Sequence, residues 1–235
     1  MECKLCQHDS QIVRAHVIPR SFYEINSLGH PQIVSTTDRV FPKRAPIGIY
    51  DTHLVCEKCE RMFAPFDDYA QLLLLAQRAT AMPLFYDGKP IAYVYEAYNY
   101  TKLKLFFLSL LWRISQSSHD FFKHFTLGKH EAAVRTAILS SDPGPPEFYA
   151  VILAKFPTPL GNLDPRQIHL LEVNFCSIYL AEYVAYIKVD RRATPEPLRD
   201  FVLGREARLV LLARDPSRSK DTQVMRVWAM KNARL

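Results

Sequence analysis

The sequence predicts an α+β fold, with a small zinc-stapled module over residues 1–80 and a second domain over residues 81–235. In that second domain a helical core is expected to pack on a small antiparallel sheet ending in a basic hairpin. Three observations predict it. Two Cys-x-x-Cys pairs, Cys3/Cys6 and Cys56/Cys59, enclose the first module; four thiolates so spaced suit one tetrahedral zinc ion, each short spacer presenting two sulfurs together. Residues 103–114 are apolar nearly all round, as in a helix buried at the centre of a domain. Beyond Phe148, β-branched and aromatic runs broken by turn residues read as strands.

Taken in order, Cys3 to Cys6 is the first knuckle, and Ile12 to Val17 is expected as a short strand carrying His16 to its end. Pro19 closes it, and Ser21 to Ile25 is expected as a helical turn. Gly29, Pro31, Pro42, Pro46 and Gly48 then punctuate a long loop, with an extended piece at Gln32 to Ser35 and two cations, Lys43 and Arg44. His53 to Val55 is expected as the return strand into the second knuckle, and a helix should start near Cys59 or Asp67 and run to about Thr80. The Asp67-Asp68 pair, just before the apolar run Leu72 to Ala76, reads first as an N-cap with a first-turn acid.

Ile91 to Tyr98 suggests a strand, after which Asn99 or Thr101 caps the apolar helix. That helix is too short, and too closely flanked by Lys102, Lys104 and Arg113, to span a membrane, which takes roughly 20 apolar residues. Helices are expected at Asp120 to Phe125 and Lys129 to Ser140, and a strand at Phe148 to Phe156. Ile168 to Cys176 and Ile178 to Val189 should form paired strands, Leu198 to Leu203 a short helix, and Arg208 to Ala213 with Gln223 to Met230 a terminal hairpin. Cys176, inside an apolar run, reads as a core residue, and His53 as a surface one.

The 235 residues are 49% hydrophobic, enough for a sizeable core. The chain opens without a basic, apolar leader, and four of five cysteines are taken up by the paired knuckles, which together point to a reducing, cytoplasmic setting. Residues 1–187 carry 18 basic and 18 acidic side chains, so the net +6 lies entirely from Lys188 onward. Nine arginines fall there: Arg191, Arg192, Arg199, Arg205, Arg208, Arg214, Arg218, Arg226 and Arg234. Such a tail can neutralise phosphates without reading sequence, or stand as a solvated basic face. There is no phosphate-binding glycine loop, nucleophile elbow or internal repeat.

The first knuckle, the histidine ten positions on in His16-Val17-Ile18-Pro19, and the stretch Asp51-Thr52-His53-Leu54-Val55-Cys56-Glu57-Lys58-Cys59-Glu60 together resemble the zinc-containing branch of the HNH endonucleases. The resemblance covers roughly residues 1–70 and implies a ββα-metal module. It also implies that His16 is the base that activates water for phosphodiester hydrolysis. Asp51 would stand where the family's asparagine sits, and Glu60 near the place of its last histidine. These two acids could hold Mg2+ or Mn2+, with His53, Asp67 or Asp68 completing the set. The partner implied is nucleic acid, DNA before RNA, in a setting such as microbial restriction or defence. One departure weighs against this: many members place an aspartate before the first histidine, and here that position is Ala15. The alternative is therefore a zinc-stapled adaptor for nucleic acid or protein with an inactive site, in which His16 is simply hydrogen-bonded within the module.

Overall fold

The computed structural model describes residues 1–23, 32–34, 43–44, 48–159 and 162–215. In the N-terminal part, β1 (Ala15–His16), β2 (Gln32–Val34), β3 (Lys43–Arg44) and β4 (Tyr50–Asp51) precede helix α1 (Glu57–Gln71). Strand β1 pairs antiparallel with β4, with Ala15 opposite Asp51 and His16 opposite Tyr50. The return strand is thus Tyr50–Asp51 rather than His53 to Val55. What displaces it is Gly48, at a φ of +75°: a Cβ there would sit 2.6 Å from the Tyr23 ring, so the chain turns into β4 over a buried aromatic only glycine can approach.

Helix α1 starts directly after Cys56, its N-cap, and continues into a π-helical turn at Leu72–Ala76. Asp67 and Asp68 therefore lie inside the helix rather than at its start. The knuckle supplies the helix N-terminus, and Glu57 and Glu60 are the first-turn acids that complement the dipole.

The remainder runs β5 (Met82–Tyr86), β6 (Lys89–Tyr95), α2 (Tyr100–Gln116), α3 (Glu131–Ser140), β7 (Val151–Lys155), β8 (Asn162–Leu163), β9 (Arg166–Leu170), β10 (Val173–Leu180), β11 (Tyr183–Lys188), α4 (Glu196–Arg199) and β12 (Leu209–Ala213). Asn99 is the cap of α2, its side chain accepting from the Lys102 N–H at 2.9 Å, and the whole of 103–114 is buried as its apolar surface requires. Asp120–Phe122 forms only a 3-10 turn, wedged in place by buried Phe121 and Phe122. The short helix near residue 200 is α4, preceded by Pro195, whose fixed φ suits a helix start.

Seven strands form one sheet in the order β5-β6-β12-β7-β11-β10-β9, antiparallel throughout except where β12 runs parallel to β7. The stretch expected as two strands is three. Turns at Leu171-Glu172 and Ala181-Glu182 divide it, with Leu171, Glu172 and Ala181 at positive φ although none is glycine. The expected terminal hairpin is also revised, since Leu209–Ala213 inserts between β6 and β7; Gln223 to Met230 lies outside the described residues.

Strand alternation buries both faces of the sheet. Val151, Leu153, Ile178, Ala185 and Leu211 face a core that also holds α2, Phe63 and Leu74 of the helix following the knuckle, and Cys3, Leu5, Val17 and Phe22. Ile152, Ala154, Phe175, Tyr179 and Val184 form a smaller core on the other face with Val202. One apolar core therefore runs from the first knuckle to β12. Helices α1 and α2 pack against each other inside it. No helix among the described residues is long and apolar enough to cross a membrane.

Candidate functional site

The four cysteines converge. Gln7 takes a left-handed φ of 61° and donates its N–H to the Cys3 carbonyl at 2.8 Å, while the Cys3 N–H reaches the His8 carbonyl at 3.0 Å, closing the first knuckle. Bonds from Lys4 N–H to the Leu54 carbonyl (3.0 Å) and from Val13 N–H to the Val55 carbonyl (3.0 Å) then dock it against the second. The sulfurs of Cys3, Cys6, Cys56 and Cys59 all lie within 4.8 Å of one another, with Cys6 and Cys56 at 4.0 Å. Tetrahedral thiolates at about 2.3 Å from zinc would be about 3.8 Å apart, so the set suits a zinc ion. Burial acts to raise the Cys3 thiol, but N–H bonds from Cys6, Cys56 and Leu5 outweigh it and bring its pKa down to about 7. Burial and the neighbouring thiols push Cys59 up, and burial pushes Cys6 up; a cation among them would favour the thiolates. Cys176 is fully buried elsewhere, a core thiol as expected.

Beside this set a second cluster forms around His16. Glu60, Phe63 and Asp67 share one face of α1, three and four residues apart. That face meets Arg113 of α2, which is wholly buried. Its guanidinium holds Asp67 in a two-point pair (3.0 and 2.7 Å) and donates also to the His16 carbonyl (3.2 Å), the Ser109 hydroxyl (3.1 Å) and the Ser109 carbonyl (3.4 Å). Its carbon lies 4.7 Å from the Phe63 ring centre. All five N–H groups of the fork are thereby used, and three elements are tied together through it.

Burial pushes the Asp67 carboxyl up, opposed by Arg113 and the His16 ring. Glu60 is likewise raised by burial and by Asp67, opposed by Arg113 and a hydrogen bond from the His16 backbone. One Glu60 oxygen, Oε2, is buried without a hydrogen-bond partner, a state that costs free energy unless a cation or proton satisfies it. His16, half-buried, therefore shares its surroundings with Glu60 and Asp67.

Asp51 is placed differently. It lies opposite Ala15, one residue out of step with His16, so the two side chains project to opposite faces of the β1–β4 pair. It is 3% exposed and saturated: one oxygen accepts the His53 N–H (2.7 Å), the other the Ser118 N–H (2.7 Å) and the hydroxyls of Ser117 (2.9 Å) and Ser118 (3.0 Å). Its role is to peg the C-terminus of α2 to β4. His53 is exposed, as expected, and Asp68 is exposed on α1. Arg113 had a signal in sequence that is easily passed over, a lone arginine inside an apolar helix, which must find a partner if buried. Comparison with family models, curated proteins and solved structures found no match to this chain.

Proposed function

We propose that this protein is a metal-dependent endonuclease of HNH type that hydrolyses phosphodiester bonds in nucleic acid, DNA before RNA, with zinc on Cys3, Cys6, Cys56 and Cys59 fixing the fold. The observation that carries the reading is the juxtaposition of His16 with the partnerless Glu60 oxygen and Asp67, on a strand pair and helix held by four converging sulfurs. His16, half-buried, takes the proton from the attacking water. Glu60, aided by Asp67, would hold Mg2+ or Mn2+, which commonly bind through one or two carboxylates plus substrate phosphate. When bound, such an ion offsets charge on the phosphate and the departing oxygen. Arg113 keeps Asp67 and the His16 backbone in register, and the basic C-terminal part assists by attracting the polyanion. A reducing, cytoplasmic setting keeps the thiols available for zinc.

One observation favours the adaptor reading. Asp51, at the position of the family's asparagine, is consumed by hydrogen bonds and averted from His16. Nicking of supercoiled plasmid by purified protein separates the two. The nuclease should require added magnesium or manganese and lose roughly 100-fold or more of its rate in His16→Ala, with the melting temperature unchanged. An adaptor would bind DNA equally well before and after that change and cut under no metal.

A further inference from the structure

A cavity of about 800 Å³ opens on the other side of the central helix, lined by residues from 129–133, 147–149 and 188–205. Lys104 and Arg113 mark the two sides of α2. They are nine residues apart, which is half a revolution and about 13 Å of rise. Arg113 reaches His16, whereas Lys104 donates to the carbonyls of Pro146 (3.2 Å) and Tyr149 (2.9 Å), the second of which lies on the cavity wall. The cavity is therefore remote from the His16 cluster.

Six cationic side chains and two carboxylates line it. Both carboxylates are already engaged: Glu147 by Lys188 (3.0 Å) and Thr194 (2.7 Å), and Asp190 by Arg192 (2.6 Å). Arg205 leans on Asp200 at 3.7 Å. Lys129, Arg191 and Arg199 thus face the space with no carboxylate partner among the described residues. His130 senses this field. Burial first, then Lys129 and Arg191, hold its pKa below the ordinary value against Asp190. Phe148 and Tyr149 add an aromatic wall, their ring centres 4.7 Å apart and edge to face.

We infer that this cavity is a binding site for a nucleoside diphosphate, its phosphates held by Lys129, Arg191 and Arg199 and its base against Phe148 and Tyr149. The volume falls within the range of about 300–1,000 Å³ usual for small-ligand sites. A phosphate ester carries about two negative charges at neutral pH and a second phosphoryl group adds about one, matching the charge of Lys129, Arg191 and Arg199. Guanidinium forks bind phosphate oxygens at two points, and aromatic faces accept any base. The site stands apart from the His16 cluster, although Arg191 and Arg199 belong to the basic part assigned above to attracting nucleic acid.

Calorimetric titration with ADP, pyrophosphate and adenosine on the full chain tests it. ADP should bind one to one, more weakly as salt rises, and at least tenfold more tightly than pyrophosphate. Arg191→Ala and Lys129→Ala, both exposed on the rim, should each weaken ADP at least tenfold, while His16→Ala leaves it unchanged. Absence of ADP binding at millimolar concentration, equal affinity for pyrophosphate, or indifference to both rim substitutions would overturn the assignment. So would a duplex oligonucleotide that competes fully with ADP through the same two residues.

Discussion

Asp51 and Glu60 are both acids near the cysteine pairs, yet their surroundings give them opposite characters. Asp51 receives four hydrogen bonds and Glu60 keeps one oxygen empty-handed. Burial acts to raise the Asp51 carboxyl, but bonds from Ser118, His53 and Ser117 prevail, so its folded pKa lies below the ordinary value. The stability it contributes is then complete above the ordinary carboxylate pKa of about 3.9 and is lost as pH falls through the lower folded value. Asp51→Asn should cost about 3 kcal/mol in urea denaturation at neutral pH and flatten the acid limb of the stability profile. Full stability with nicking abolished would instead make Asp51 a metal ligand. The cysteines were legible in sequence because spacing alone reports a chelate. The fate of Asp51 was not, because three of its four hydrogen bonds come from Ser117 and Ser118, 66 and 67 residues away.

At the level of elements, the junction of α1 and α2 rests on a charge pair within an apolar contact. Removing one member of such a pair strands the other, so Arg113→Ala should destabilise by about 3–5 kcal/mol, whereas Arg113→Met combined with Asp67→Asn should recover much of the loss. Thermal and denaturant unfolding of the single and double variants would measure this; equal losses in both would mean that packing around Phe63, not charge, governs the junction. A run apolar nearly all round made α2 legible, and Asn99 was one of the two caps expected for it. The strand turns were hidden because Leu171, Glu172 and Ala181 carry positive φ without glycine or asparagine to announce it. Likewise, the start of α1 was legible near Cys59 but not set apart from Asp67, because a cysteine rather than a serine or aspartate is its cap.

For the molecule as a whole, the continuity of the main core joins the fate of the knuckles to that of the sheet. Metal on small sulfur sites supplies folding free energy on the order of 10 kcal/mol. Cys56→Ser should therefore abolish zinc binding by elemental analysis and lower the melting temperature in one transition; retention of the parent melting curve without zinc would contradict a stapling role. The change of character near residue 80 suggests two parts, whereas long-range packing gives residues on both sides of it one interior. The placement of β12 between β6 and β7 carries a consequence of its own. The last described strand fills the middle of the sheet, so during synthesis the preceding hairpin and meander wait with open edges until residues 209–213 emerge. Completion of the sheet thus waits on residues 209–213, and a nascent chain halted before them holds two unfinished ribbons that invite chaperones or one another.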